Sequence, residues 1–310
     1  MDMREFGRLG RVSALTLGGG GIAGVWGRTG RAEAVATIRA AIDGGITMLD
    51  LAPGYGTDAE SERAAGEALR PSDDVMITTK VHSQDGDADI RRSLHDSLAR
   101  LRRDHVDLFL LHTHLSPRDR TQPGTIDWRR YRDQVLPEFE RLRDEGLIRA
   151  WGITAIAHPD TVLDALREAP RPDAAQVIVN PMDMVGDLWV FDGVPPANDA
   201  IRRLANSNGV AVIGIRAVAA GSLTSTLDRD VPTDHPAAVD FARAEPFRKL
   251  AAELGETPAA LAHRYALSVP GVATVVLGVK NREELAECLA AETRGPLTAE
   301  ETNAVVALTA

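Results

Sequence analysis

Short apolar runs rich in β-forming residues alternate with amphipathic, helix-like stretches along almost the whole chain. The runs are continuously apolar, which is typical of strands that are buried on both faces of a parallel sheet. Eight strand–helix units can be counted from this pattern. Their strands end near residues 18, 50, 80, 112, 154, 176, 215 and 278. The pattern therefore predicts an α/β fold built on a parallel sheet.

No proline- or serine-rich linker and no shift in composition divides these units into two groups. Eight successive units favour a single (β/α)8 TIM-barrel domain that spans residues 1–310. A doubly wound open sheet stays as an alternative, because the pattern does not reveal whether the sheet closes. The segment REFGRLGRVS, residues 4–13, is typical of a small hairpin, which we expect at the opposite end of the barrel from the active site.

Two connections are longer than a barrel needs: residues 113–130 after the fourth strand and residues 216–245 after the seventh. Both leave the carboxyl ends of strands, where barrel active sites are built. We therefore treat both long loops as candidates for substrate contacts.

A glycine-rich run, residues 19–24, follows the first strand and formally matches the dinucleotide fingerprint G-x-G-x-x-G. That motif must open directly into a helix whose first turn holds the pyrophosphate. Here the next residues are VWGRTG, which are not compatible with the first turns of a helix. We therefore reject a Rossmann-type nucleotide site at this position.

The charge balance limits the classes of partner. Acidic residues outnumber basic ones by 45 to 35, so the net charge of −10 gives no global attraction to nucleic acid or to anionic membranes. No apolar run approaches the roughly 18 residues of a membrane span, and the first ten residues lack the apolar stretch of a signal peptide. The single cysteine, Cys288, supports neither an internal disulfide nor a cysteine metal site. We expect a cytoplasmic protein that acts on a small molecule; its oligomeric state stays open.

Four polar residues follow successive strands: Asp50 ends the second, Tyr55 lies five residues on, Lys80 ends the third and His112 ends the fourth. In a barrel these positions meet around one mouth. A buried lysine beside a carboxylate stays charged, and its cation is expected to lower the pKa of a neighbouring phenol. That would prepare Tyr55 to deliver a proton, while His112 orients a substrate oxygen.

Each of these residues also has a structural interpretation. Asp50 is a common turn acceptor, Tyr55 fits a residue that covers a loop, and a histidine such as His112 is often a structural residue. Lys80 is harder to explain in this way, because it follows an apolar strand and needs a partner there. A metal site is not expected, since His112 and His114 would point to opposite faces of a continuing strand. A glycosidase is not expected either, because Asp50 is the one carboxylate that cleanly ends a strand.

Four segments resemble the aldo-keto reductase family: ITMLDLAPGYGTDAESERAAGEAL, ITTKV, VDLFLLHTH and VATVVLGVKNREELAECLAA. They occur in order over nearly the whole chain. The resemblance implies a (β/α)8 barrel that binds an extended nicotinamide cofactor without a Rossmann motif. It also implies that Tyr55 is the general acid, that Lys80 and Asp50 tune it, and that His112 positions the carbonyl. The implied reaction reduces an aldehyde or ketone to an alcohol, or oxidises a sugar-like alcohol in reverse.

The resemblance also implies a set of cofactor-binding positions. They are Gly19, Gly20, Asp50, Thr154, Gln176, Ile215, Arg216, Gly278, Lys280, Arg282 and Glu287. Several positions depart from the family pattern, and three of them bear on the cofactor. Ala155 replaces an asparagine, Ile215 replaces an aromatic ring that stacks on the nicotinamide, and Glu284 stands where Arg or Gln is common.

These departures bear on the cofactor. An inward-pointing Glu284 would repel the 2′-phosphate of NADPH, whereas Lys280 and Arg282 would supply positive charge near a helix start. The resemblance therefore favours NADPH and leaves NADH as an alternative. A barrel that binds the cofactor as a sensor or regulator, with negligible turnover, is the alternative to an enzyme.

Overall fold

The computed structural model describes residues 1–82, 87–118 and 124–308, with residues 87 and 88 described by their backbone alone. Eight parallel strands form a closed barrel in the order β10-β11-β12-β3-β4-β5-β6-β9. They are β3 (Leu15–Gly18), β4 (Met48–Asp50), β5 (Met76–Val81), β6 (Val106–Leu111), β9 (Ile148–Thr154), β10 (Ala174–Ile178), β11 (Ala211–Ile215) and β12 (Val272–Leu277). The predicted barrel is thus confirmed, and the open-sheet alternative is wrong.

Successive residues of each barrel strand face opposite sides, because the side-chain period of a strand is two. Leu108 and Leu110 belong to the apolar cluster inside the barrel, together with Met48 and Ile213. Phe109, between the two leucines, packs in the outer layer beneath the helices. Both faces are therefore apolar, which explains the continuous hydrophobic runs in the sequence.

Helices surround the barrel and carry their small and apolar residues on the inner side. The helices are α1 (Gly19–Ile22), α2 (Arg31–Asp43), α3 (Glu60–Ala68), α4 (Asp87–Leu101), α5 (Trp128–Arg130), α6 (Leu136–Asp144), α7 (Pro159–Arg167), α8 (Asn198–Ser207), α9 (Pro236–Arg243), α10 (Glu245–Glu253), α11 (Pro258–Ser268), α12 (Arg282–Arg294) and α13 (Ala299–Val306). A π-helical turn, Tyr131–Val135, joins α5 to α6.

The N-terminal hairpin consists of β1 (Met3–Glu5) paired antiparallel with β2 (Arg11–Ser13). Phe6, at its turn, packs against the apolar cluster inside the barrel. The apolar run at 12–17 is divided between β2 of the hairpin and β3 of the barrel. The chain bends at Ala14 between them, and the Ser13 hydroxyl donates a 2.6 Å hydrogen bond to the Leu15 carbonyl across this bend.

The two long connections contain more regular structure than a loop. After β6, the short strands β7 (His114–Ser116) and β8 (Thr125–Asp127) pair in parallel, and residues 119–123 lie outside the described residues. After β11, the segment 216–245 includes α9. A proline stands in the first turn of α9, α10 and α11 alike. Proline is well tolerated in the first turn of a helix, so the prolines of this region are compatible with helices.

Candidate active site

Five of the candidate side chains belong to the set of alternating strand positions that face the barrel interior. Asp50, Lys80, His112, Thr154 and Gln176 each lie an even number of residues beyond an inward-facing residue of their own strand. Asp50 and Thr154 end their strands, Lys80 is the last residue but one of β5, and His112 directly follows β6. Gln176 is the middle residue of β10, and its side chain reaches Asp50 at the same mouth of the barrel. This convergence follows from the pleat of the strands and the closure of the sheet.

A buried ion pair lies at the base of the site. Lys80 Nζ is 2.9 Å from Asp50 Oδ1 and donates a 2.8 Å hydrogen bond to the carbonyl of Leu51. The Lys80 side chain has no exposed surface. Burial alone would lower the pKa of Lys80, but the charge of Asp50 and the Tyr55 phenol outweigh it and raise the pKa above its ordinary value. The lysine therefore stays charged, as expected.

Tyr55 lies in the turn after β4, and its ring centroid is 4.7 Å from Lys80 Nζ. Burial raises the pKa of the Tyr55 phenol above its ordinary value; the charge of Lys80 lowers it, and the charge of Asp50 raises it further. The expected net lowering of this pKa is therefore wrong, although the contribution of Lys80 has the expected sign. Desolvation of the phenolate outweighs the attraction of one cation that is already paired with a carboxylate.

His112 packs edge-on against Tyr55, with ring centroids 5.7 Å apart. Its Nδ1 is buried without a hydrogen-bond partner in the described structure. Burial and the nearby charge of Lys80 hold the pKa of His112 well below its ordinary value, so the ring is neutral at pH 7. The imidazole of His82 lies 4.4 Å from that of His112. Sequence reasoning missed His82, although it lies two residues after Lys80 and has the same strand parity.

His112 and His114 both line the cavity at the barrel mouth. The expectation that they face opposite sides is wrong, because residues two apart on a strand face the same side. The chain bends at Thr113, between the two histidines. Within the described residues no group of three or more His, Cys, Asp or Glu side chains is arranged to hold a metal ion.

The cavity has a volume of about 650 Å³ and runs from the tyrosine–histidine cluster to the start of α12. Every predicted cofactor position lines it except Arg282. The lining positions are Gly19, Gly20, Asp50, Thr154, Gln176, Ile215, Arg216, Gly278, Lys280 and Glu287. Of the long loops, the one after β11 contributes a continuous wall, whereas the described part of the loop after β6 contributes His114.

The glycine run forms the floor of one side of this cavity. Gly19–Ile22 is a single helical turn, and the chain then leaves the helix. A Cβ at Gly21 would lie 2.1 Å from the carbonyl oxygen of Val279, and one at Gly18 would lie 2.2 Å from that of Leu277. These glycines are therefore needed for close packing of the first strand end against the last one, which agrees with the rejection of a Rossmann site.

Arg216 follows β11 in a left-handed backbone conformation, with φ of 57°. Its side chain is 8% exposed, and its Nε and Nη1 are buried without hydrogen-bond partners in the described structure. Its nearest anionic contact is Asp187, 3.6 Å from Nη2. A buried guanidinium with two unpaired nitrogens and a strained backbone is typical of a ligand-binding position.

The far end of the cavity is rich in carboxylates. Lys280 Nζ pairs with Asp228 and lies 2.6 Å from Glu284 Oε1, while Glu284 Oε2 accepts a 2.9 Å hydrogen bond from the Lys280 amide. Glu284 therefore points into the cavity, which is the orientation in which it is expected from the sequence to repel a 2′-phosphate. Arg282 lies outside the cavity and is bound to Glu33 through its amide and guanidinium nitrogens.

The aldo/keto reductase family model matches residues 14–310. The chain belongs to the aldo/keto reductase family. It is accordingly an NAD(P)H-dependent oxidoreductase that acts on small molecules. Among the described residues, no helix is both long enough and apolar enough to cross a membrane.

Individual relatives of this aldo/keto reductase extend over most of its length. It is 28% identical over 305 residues to L-galactose dehydrogenase of Arabidopsis thaliana, covering 94% of this chain and 88% of the relative. The holo form of aldo-keto reductase AKR11C1 from Bacillus halodurans superposes with a TM-score of 0.77 at 23% identity, covering 100% and 97% of the two chains. An aldo-keto reductase from Klebsiella pneumoniae, solved in complex with NADPH, has a TM-score of 0.71 at 24% identity, covering 99% and 95%.

Proposed function

We propose that this protein reduces an aldehyde or ketone to an alcohol, or catalyses the reverse oxidation, with Tyr55 as general acid and base. The observation that carries the proposal is the buried Lys80–Asp50 ion pair beneath the Tyr55 ring, next to a neutral His112 in the same cavity. A positioned phenol, a fixed cation and a neutral imidazole are the groups that a carbonyl reduction needs at one point.

The protonation states suit this division of labour. The raised pKa of Tyr55 keeps its hydroxyl protonated at neutral pH, ready to donate to the developing alkoxide. As the proton leaves, the charge of Lys80 stabilises the phenolate that forms. His112 is neutral, and its buried Nδ1 has no partner in the described structure. A buried unpaired donor is less tolerable than an unpaired acceptor, so we assign the proton to Nε2, which then donates to the substrate oxygen.

The cavity residues fit a nicotinamide cofactor, which when bound supplies the hydride. Gln176 donates to Asp50 through Nε2, so its Oε1 is available to accept from a carboxamide. The Thr154 hydroxyl donates to the Leu111 carbonyl at 3.2 Å, so it acts toward a ligand as an acceptor. Ile215 offers an apolar face to the ring, and the unpaired nitrogens of Arg216 match a phosphate oxygen.

We propose NADPH as the preferred cofactor, with NADH also accepted. The family resemblance supports NADPH, and Lys280 is the cavity-lining cation at the adenosine end. Two carboxylates, Asp228 and Glu284, already pair with this lysine, and Arg282 is held outside the cavity by Glu33. The local charge therefore offers a 2′-phosphate little net attraction, which keeps the preference small.

The proposal is tested by mixing the purified protein with NADPH or NADH and 4-nitrobenzaldehyde, an activated aromatic aldehyde. We expect oxidation of the cofactor, seen as loss of absorbance, with equimolar formation of the alcohol. Tight cofactor binding by fluorescence quenching, without turnover over a wide carbonyl panel, would contradict the enzyme and support the sensor alternative.

A further inference from the structure

The His114 ring has a defined tautomer. Its Nδ1 is hydrogen-bonded to the carbonyl oxygen of Ile156. A carbonyl oxygen only accepts, so Nδ1 must carry the proton. Burial lowers the pKa of His114, so its ring is neutral at pH 7. Nε2 therefore presents a lone pair, and it has no partner among the residues that the structure describes.

The His114 ring is also held in place. Besides the Ile156 carbonyl, the edge of Phe191 packs against it, with ring centroids 6.3 Å apart. A ring fixed by one hydrogen bond and one aromatic contact gives its free nitrogen a constant direction. Such fixation reduces the entropy that a ligand would otherwise lose on binding.

His114 differs in kind from the other polar groups near it. Tyr55 and His112 offer donors, which a carbonyl oxygen can accept, whereas Nε2 of His114 offers only an acceptor. A carbonyl oxygen has no hydrogen to give to this acceptor, but a hydroxyl group has. His112 and His114 are two residues apart, so their Cα atoms are within roughly 7.6 Å. Both histidines line the same cavity as Tyr55, so a ligand held by His112 can extend a neighbouring substituent to His114.

We propose that His114 accepts a hydrogen bond from a hydroxyl group near the reacting carbon, so that the substrate is a hydroxy aldehyde, a hydroxy ketone or the corresponding diol. This inference rests on the proposed function, since it assigns a substrate class to the same site. His114 is then a specificity-determining residue, and a substrate without the hydroxyl leaves its acceptor unpaired.

The experiment compares lactaldehyde with propanal, which differ by one hydroxyl group, in the wild type and in two variants. His114→Asn places an amide nitrogen near Nδ1, where it keeps the bond to Ile156, and removes Nε2. His114→Gln places a polar group near Nε2. His95→Asn, an exposed position of α4, is the matched control. The readout is the ratio of kcat/KM for lactaldehyde to that for propanal.

We expect the wild type to favour lactaldehyde, His114→Asn to reduce the ratio roughly tenfold, His114→Gln to restore part of it, and His95→Asn to keep it. A ratio unchanged in His114→Asn, or equal losses for both aldehydes, would overturn the inference. The tautomer of His114 is tested separately by ¹⁵N NMR of the folded protein, which should show a proton on Nδ1. A proton on Nε2 would also overturn the inference.

The two levels of proposal fail differently. If the wild type reduces 4-nitrobenzaldehyde but shows no dependence on His114, the substrate class is wrong and the carbonyl reductase stands. If the wild type turns over no carbonyl compound, the proposed function fails and the role of His114 fails with it.

Discussion

The side-chain amide of Gln176 donates a 2.7 Å hydrogen bond to Oδ1 of Asp50. The same oxygen is 2.9 Å from Lys80 Nζ. One oxygen of Asp50 therefore links Gln176 to Lys80. Gln176 is proposed to hold the nicotinamide carboxamide, and Lys80 lies beneath Tyr55, the proposed proton donor. The contact spans 126 positions of sequence, and it exists because both strands end at the same barrel mouth.

Replacing Gln176 should therefore affect binding and chemistry together. We expect Gln176→Leu to weaken cofactor binding and to lower kcat about tenfold, because Asp50 loses a charge-assisted hydrogen bond. Thr154→Ala is the matched control, since its hydroxyl bonds the Leu111 backbone and not Asp50; it should weaken binding and change kcat less than threefold. Fluorescence titration and steady-state kinetics measure the two effects. Equal kcat losses in both variants would refute the coupling.

Glu284 should limit the preference for NADPH. Glu284→Gln removes one negative charge from the adenosine end and leaves an oxygen to accept from the Lys280 amide. We expect the ratio of NADPH to NADH affinity to rise about fivefold, the size of a single charge interaction in a partly solvated site. The measurement is a titration with each cofactor. Glu283→Gln, exposed on the same helix, should leave the ratio constant, and a similar rise there would count against this role for Glu284.

Buried neutral histidines should make the fold sensitive to mild acid. Burial, as the largest cause, lowers the pKa of both His112 and His263 in the folded protein. Below the unfolded value of about 6.5, the unfolded chain binds protons that the folded chain does not, so stability falls as pH decreases. Each such histidine contributes up to about 1.4 kcal/mol per pH unit. We expect the free energy of unfolding, measured by urea denaturation, to fall less steeply between pH 6.5 and 5 in His112→Asn than in the wild type. In His95→Asn it should fall as in the wild type. No difference between these variants would argue against a neutral buried His112.

Much of the site could be predicted from the polar residues at the ends of the predicted strands. Asp50, Lys80 and His112 each follow a short apolar run, and a parallel barrel necessarily gathers such positions at one mouth. Gln176, by contrast, was expected from the family resemblance alone, and the positions of the other three were expected from the sequence pattern. These expectations depend on local pattern and on closure of the sheet, which the repeated units indicate.

Other features depend on contacts that local pattern does not contain. Arg282 was expected in the cavity, but it pairs with Glu33, 249 positions away in sequence. The net direction of the Tyr55 pKa shift depends on how strongly burial competes with a cation that is already paired. The aromatic contact between His114 and Phe191 joins positions 77 apart in sequence. Each of these is decided by tertiary surroundings.

The most direct test of the account is Tyr55→Phe, measured by cofactor titration and by aldehyde reduction on the same preparation. The change removes one oxygen and keeps the ring that packs beside Lys80 and His112. We predict that cofactor affinity stays within about twofold while kcat/KM for reduction falls at least roughly 100-fold, the usual contribution of a positioned general acid. Reduction at the wild-type rate by Tyr55→Phe would contradict the assignment of Tyr55 as the proton donor.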